Sequence, residues 1–92
     1  MYEVKPSSKF KKDLKRASKR GYDISLLTTA IKLLADTGTL PEAYKDHALT
    51  GNWIGHRECH ITPDWLLIYK IENDILVLTL TRTGTHSDLL EK

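Results

Sequence analysis

Apolar residues recur with a helical period over the first forty positions. Two stripes with a spacing of three or four predict a helix over residues 8–20 and a second helix that begins at Asp23 or Ser25 and closes at Gly38. Residues that can cap a helix precede both stripes, and a glycine follows each. The stripes consist of Phe10, Leu14 and Ala17 in the first helix and of Ile24, Leu27, Ile31 and Leu34 in the second. The two helices therefore form a hairpin with a short turn between them.

From Trp53 the pattern becomes that of strands. Three runs rich in Leu, Ile, Val and Thr are separated by short turns, which makes neighbouring strands antiparallel. These runs are residues 53–60, 65–71 and 75–82. Residues 2–5 predict a further short strand, and residues 39–52 form a long connector. We expect an α+β fold in which two N-terminal helices pack on a small antiparallel sheet of about four strands.

The length of the chain predicts one domain over residues 1–92. No apolar run is long enough for a membrane span, and the N-terminus lacks the apolar stretch of a signal peptide. The single cysteine, Cys59, excludes an internal disulfide and gives no sign of secretion. We therefore expect a cytoplasmic protein without a membrane partner.

The charge of the chain is unevenly distributed. Residues 1–20 carry a net charge of +6, and residues 21–92 carry −4. Six basic side chains lie on the first helix and are candidates for binding RNA or the ribosome: Lys11, Lys12, Lys15, Arg16, Lys19 and Arg20. A concentrated basic segment suggests a polyanionic partner, although a lysine-rich helix face in water has the same pattern.

Side chains capable of chemistry gather in the second half of the chain. His60 ends the first predicted strand of the sheet, Asp64 lies in the next turn, and Arg82 ends the third. His86 follows in a loop, and His47 lies in the long connector. Because the third strand returns beside the start of the second, we expect four of these five residues, all but His47, at one end of the sheet.

A metal site and a nucleophilic cysteine are weaker interpretations. His56 and His60 are four residues apart on one strand, or about 13 Å, which is too far for one metal ion. We expect no metal and no other cofactor. Cys59 points to the face opposite its two neighbours, as a buried core cysteine would.

The candidate residues fit cleavage of RNA without a metal. In that reaction the 2′-OH attacks the adjacent phosphate, which requires a base, an acid for the leaving 5′-oxygen and a cation for the phosphate. Histidine can act as acid or base near neutral pH, and arginine binds phosphate oxygens with two donors. Asp64 can act as the base, or it can orient and charge a histidine, and the residues alone leave this choice open. Trp65 offers a flat face for stacking a base.

Three segments resemble the YafQ branch of the RelE/ParE toxin superfamily. They are Tyr44-Lys45-Asp46-His47-x-Leu49-x-Gly51-x-Trp53, Arg57-Glu58-Cys59-His60-Ile61-x-Pro63-Asp64-Trp65-Leu66-Leu67-Ile68-Tyr69 and Arg82-Thr83-Gly84-Thr85-His86-Ser87-x-Leu89. The resemblance covers most of the chain. It is specific in the C-terminal half and a matter of pattern in the helices.

The resemblance implies a small RelE-like toxin that cleaves messenger RNA in the A site of the 70S ribosome. It implies catalytic roles for His47, His60, Asp64, Arg82 and His86, with Trp65 beside the acid. It also implies a cognate antitoxin, DinJ-like and of the ribbon-helix-helix type, that neutralises the toxin. The family often has an aromatic residue near the C-terminus, where this chain has Leu90.

Two other functions remain open at the level of sequence. ParE-type relatives share the fold and inhibit DNA gyrase by binding, without cleavage chemistry. A non-catalytic module that binds RNA or the ribosome is the third interpretation. The set of histidines, Asp64 and Arg82 favours the nuclease, because a protein that only binds has no need to assemble it.

Overall fold

Five strands form one sheet, and two long helices pack on one of its faces. The computed structural model describes residues 1–89, so Leu90 lies outside the described residues. The elements in chain order are β1 (Glu3–Pro6), α1 (Ser8–Lys19), α2 (Ile24–Thr37), β2 (His47–Ala48), β3 (Arg57–Thr62), β4 (Trp65–Glu72), β5 (Val77–Gly84) and α3 (His86–Leu89). The predicted α+β class with two N-terminal helices is confirmed.

The sheet is mixed, whereas the sequence pattern predicted an antiparallel one of about four strands. Its order is β1-β5-β4-β3-β2, with β4 in the centre. The strands from β2 to β5 pair antiparallel, but β1 pairs parallel with β5. The parallel pair is sterically straightforward because nearly the whole chain lies between the two strands and serves as the crossover.

Local capping explains why the two helices begin and end where they do. The Ser7 side chain accepts a hydrogen bond from the backbone N–H of Phe10 at the start of α1. Asp23 caps α2 in the same manner, and Gly38 ends it with a left-handed backbone at φ 78°. Both predicted helices are therefore confirmed, and α1 ends one residue earlier than predicted.

Strands β3 and β5 begin later than the apolar pattern predicted. A 3₁₀ turn at Gly51–Trp53 and the positive φ of Gly55 keep the chain irregular until Arg57. Leu76 has a φ of 54°, so the turn before β5 continues past the apolar residues that the pattern assigned to the strand. An apolar run marks a buried or turn-flanking segment and does not fix where the ladder of hydrogen bonds begins.

The two faces of the sheet differ in what covers them. The main core lies between the helices and the sheet and includes Phe10, Leu27, Leu34, Cys59, Leu67, Tyr69 and Leu78. A smaller cluster on the other face joins Leu66, Ile68 and Leu89, so α3 packs there. Because side chains alternate along a strand, Glu58 and His60 also point to this second face.

Candidate active site

Four predicted site residues meet on the face of the sheet opposite the long helices. The ring centroid of His60 lies 6.5 Å from that of His47 and 6.1 Å from that of His86. Nδ1 of His86 is 4.0 Å from Oδ1 of Asp64. We call this group of His47, His60, Asp64 and His86 the histidine cluster. The expected convergence of His60, Asp64 and His86 at one end of the sheet is observed, and the connector adds His47.

Three local structural features bring the histidine cluster together. Strand β2 pairs with β3, and this pairing places His47 opposite Glu58. A register shift between His60 and Thr62 lets the chain turn tightly into β4, which leaves Asp64 exposed at the turn. The first residue of α3 is His86, so the position of this short helix determines the position of the third ring.

Hydrogen bonds orient two of the three rings. Nδ1 of His60 lies 3.3 Å from the carbonyl oxygen of Pro63, and Nδ1 of His47 lies 2.9 Å from that of Lys45. A carbonyl oxygen only accepts, so both Nδ1 atoms carry hydrogen in these bonds. The Nε2 atom of His60 is thereby the ring atom that remains for proton transfer.

Glu58 is a member of the site that sequence reasoning did not select. Its Oε1 lies 3.1 Å from Nε2 of His47, and the residue is only 3% exposed. A signal was available, because Glu58 precedes His60 by two residues in one strand and therefore shares its face.

Arg82 contacts the first helix and not the histidine cluster. Its Nε and Nη2 donate to the two carboxylate oxygens of Asp13 at 2.7 and 3.0 Å. Asp13 is 5% exposed and also accepts from Arg16 and from the backbone N–H of Thr83. The hydrogen bonds with Asp13 raise the pKa of the Arg82 guanidinium. Among the described residues, no hydrogen bond or ion pair joins Arg82 to the cluster.

The structure places Trp65 in the core, which corrects its predicted stacking role. The side chain is 3% exposed, and its Nε1 donates to Oγ1 of Thr83 at 2.9 Å. The ring of Tyr22 packs edge-on against it at a centroid distance of 4.9 Å. Trp65 therefore has no open ring face for a base, because the helix layer covers the indole.

The six basic side chains predicted to bind RNA fall into two groups. Lys11, Lys12, Lys15 and Lys19 are exposed on α1. Arg16 is paired with Asp13, and Arg20 is paired with Asp88 of α3 at 2.8 Å. A cleft of about 350 Å³ between α1 and the end of β5 is lined by Lys9, Lys12, Asp13, Arg16 and Arg82.

Cys59 is a core residue, as its position in the strand predicts. It is fully buried, and burial raises the pKa of its thiol to about 12. The thiolate is the nucleophilic form of cysteine, and burial disfavours it. In residues 1–89 no three His, Cys, Asp or Glu side chains are grouped as metal ligands. Over the same residues, none of the helices has the length and apolar character needed to cross a membrane.

Asp88 connects α3 to the rest of the molecule. It accepts from Arg20 and from the backbone N–H of Thr85, while Thr85 Oγ1 accepts from the N–H of Asp88. The Arg20 guanidinium holds the pKa of the Asp88 carboxyl well below its usual range. A carboxyl whose pKa is lowered in the folded state stabilises the fold above its unfolded pKa, near 4, and this stabilisation is lost as the pH falls.

We expect Asp88→Asn to lower the melting temperature at pH 7 and to reduce its fall below about pH 5. The asparagine keeps the size of the side chain but removes the charge that Arg20 stabilises. Melting curves followed by circular dichroism between pH 3 and pH 7 measure this, with Asp74→Asn in an exposed turn as the control. Parallel curves for wild type and Asp88→Asn across that range would contradict the assignment.

Comparison with known proteins finds bacterial toxins that share this sequence pattern and fold. Residues 2–91 match the family model described as bacterial toxin of type II toxin-antitoxin system, YafQ. The chain is 43% identical over 88 residues to the mRNA interferase toxin YafQ of Escherichia coli K12, covering 95% of this chain and 94% of the relative. It is 40% identical over 97 residues to a putative toxin YafQ of Haemophilus influenzae, with 95% of each chain covered.

A solved structure agrees with the sequence comparison. The crystal structure of the E. coli DinJ-YafQ complex contains a chain that matches with a TM-score of 0.88 and 41% identity. The match covers 97% of this chain and 98% of that one.

The family match and the shared fold define this chain as a toxin of a type II toxin–antitoxin system. Within that class, it belongs to the YafQ family. The family resemblance stated from three sequence segments is thereby confirmed, as is the prediction that the chain is an enzyme.

Proposed function

We propose that this protein is a ribosome-dependent endoribonuclease that cleaves messenger RNA in the ribosomal A site. The observation that carries the proposal is the histidine cluster, in which three imidazoles and a carboxylate share one face of the sheet. The name of the E. coli relative, an mRNA interferase, supports the same substrate. This substrate would be met in the cytoplasm.

The proposed reaction needs no group outside the chain. A base removes the proton of the 2′-OH, the oxygen attacks the adjacent phosphorus, and an acid protonates the departing 5′-oxygen. His60 and Asp64 are candidates for the base, and His86 is the candidate for the acid. His86 is half exposed beside Asp64, so its ring can reach a bound strand.

Arg82 keeps its proposed role as the phosphate cation, with a restriction from the structure. Asp13 accepts from the N–H of Nε and from one N–H of Nη2, so both N–H groups of Nη1 and the second of Nη2 remain for a phosphate oxygen. The two carboxylate oxygens of Asp13 hold the guanidinium in one plane, and this orientation limits where the phosphate can lie. Lys9 and Lys12 line the same cleft and would add to its attraction for the backbone.

The exposed lysines of α1 support ribosomal RNA as the larger partner. Lys11, Lys15 and Lys19 recur every four residues, so they form one row on the helix. Such a row attracts phosphate groups without sequence preference.

A DinJ-like antitoxin is the proposed regulator. The E. coli relative was crystallised as a DinJ-YafQ complex, and this chain matches its toxin over nearly the full length. Neutralisation would follow if the antitoxin covers the cluster or the basic surface. A ParE-type inhibitor of gyrase and a non-catalytic RNA-binding module are the alternatives, and neither requires converging acid–base groups.

Primer extension on a reporter message tests the proposal. After induction in a host that lacks the antitoxin, we expect cuts within the translated frame of the wild-type reporter. A matched reporter without its start codon should remain intact, because the proposed nuclease acts on translated message. Intact message in both reporters during growth arrest would favour the gyrase-type or binding-only function.

A further inference from the structure

Glu58 is a buried acid in contact with a member of the histidine cluster. Its side chain is 4% exposed, and the ring of His47 lies against it with Nε2 3.1 Å from Oε1. Burying a carboxylate is costly unless a cation or a hydrogen-bond donor compensates for the lost water. The partners of Glu58 therefore determine whether a charge can exist at this position.

The neighbouring cation is engaged elsewhere. Arg57 precedes Glu58 in β3, but its Nε donates to Asp46 at 3.1 Å. Oε2 of Glu58 has no hydrogen-bond partner in the described part of the chain. The groups that face His47 are Glu58 from β3 and the ring of His60, 6.5 Å away, together with the Lys45 carbonyl from its own segment. Compensation of Glu58 thus depends on His47.

The contacts of the two ring nitrogens indicate where a proton must lie. Nδ1 of His47 is 2.9 Å from the carbonyl oxygen of Lys45, which can only accept, so Nδ1 carries hydrogen. If Nε2 were bare and Glu58 ionised, two lone pairs would face each other across 3.1 Å. The contact is attractive only if the ring or the acid carries a further proton. Such a proton contacts both side chains.

We propose that Glu58 is a positioning residue of the active site, which fixes the ring of His47 and holds a proton between its own Oε1 and Nε2 of His47. The catalytic part of this inference rests on the proposed nuclease function. Glu58 acts through the ring, since its own carboxylate is buried beneath the open face. His47 is half exposed, so the ring presents this arrangement to a bound strand.

Nuclear magnetic resonance of the free toxin tests the shared proton without any assay of activity. In wild type we expect a downfield proton in the contact between Nε2 of His47 and Oε1 of Glu58 that exchanges slowly with water. Glu58→Gln should abolish this signal, because an amide can donate to Nε2 and leave the ring neutral. Glu72→Gln, at the far end of β4, is the control and should leave it unchanged. A wild-type spectrum without any such proton in the contact between Nε2 and Oε1 would overturn the proposal whatever the toxin cleaves.

Single-turnover cleavage on programmed ribosomes tests the catalytic part. We expect Glu58→Gln to lower the maximal rate at least about tenfold with little change in half-saturating toxin concentration, as for a misoriented catalytic histidine. Glu58→Asp keeps the acid but shortens its reach, so it should recover part of the rate, and it replaces Glu58→Gln if that variant does not fold. Wild-type rates in both variants would overturn the positioning role. Absence of cleavage by the wild type would instead count against the nuclease function and leave the resonance result to stand on its own.

Discussion

Replacement of His86 by alanine is expected to reduce cleavage of messenger RNA by about 10²- to 10⁴-fold, the range for loss of a general acid or base. The ring is half exposed and 4.0 Å from Asp64, and it is not part of either hydrophobic cluster. Its removal should therefore cost activity and little stability. Primer extension and growth after induction measure the loss, and circular dichroism verifies the fold.

A matched control lies one residue further along the chain. Ser87 is exposed on the same helical turn, so Ser87→Ala should cleave like the wild type. If His86→Ala and Ser87→Ala both stopped growth with equal cleavage of the message, His86 would have no part in the proton transfers. Growth arrest without cleavage in all three proteins would remove the nuclease interpretation altogether.

Replacement of Asp13 by alanine is expected to lower the free energy of unfolding by about 3–5 kcal/mol, the cost of breaking a buried ion pair by removing one partner. The carboxylate of Asp13 accepts from Arg82, from Arg16 and from the backbone N–H of Thr83. Alanine would leave these donors without their acceptor and a small gap beneath α1. Urea unfolding monitored by tryptophan fluorescence measures the change at constant pH.

Asp36→Ala is the control for this experiment, because Asp36 is exposed on α2 and should change the stability by no more than about 0.5 kcal/mol. An unfolding free energy for Asp13→Ala within that same margin would show that the contacts contribute nothing net. Asp13→Asn should fall between the two, since its amide oxygen can still accept from Thr83.

The same ion pair changes the meaning of an experiment on Arg82. If Arg82 acted only as the phosphate clamp that the sequence predicts, Arg82→Ala would abolish toxicity with the fold intact. The structure shows that this variant would also leave the buried carboxylate of Asp13 without its closest partner, at 2.7 Å. Loss of toxicity in Arg82→Ala therefore combines a catalytic and a structural effect, whereas His86→Ala separates them.

Local patterns predicted the elements of this fold better than their pairing. The helices could be predicted because caps and apolar spacing act within a few residues, as at Ser7 and Gly38. The parallel pairing of β1 with β5 could not, because it joins residues more than seventy positions apart, such as Glu3 and Val77. Nothing in a four-residue strand indicates which partner it will choose.

The candidate site likewise contains residues whose proximity the sequence could predict and contacts that it could not. His60, Asp64 and His86 could be placed together because short antiparallel turns fix which strand ends meet. The partner of Arg82 could not be predicted, since Asp13 lies 69 positions away on a helix that looks uniformly basic. Trp65 was assigned to RNA because its ring offers a flat face for stacking a base, whereas the helix layer that covers it is a tertiary feature.

The ion pair between Arg20 and Asp88 has a mechanical consequence. A helix of four residues is not stable by itself in water, so α3 depends on its cap and on the ion pair between Arg20 and Asp88. Arg20 directly follows α1, the helix whose exposed lysines are the proposed contacts with a large polyanion. A ligand whose phosphate binds Arg20 would weaken the ion pair with Asp88 and thereby loosen the helix that carries His86. Binding of the polyanion and catalysis would then compete for one guanidinium. The more tightly a phosphate bound Arg20, the less firmly the ring of His86 would be held in position.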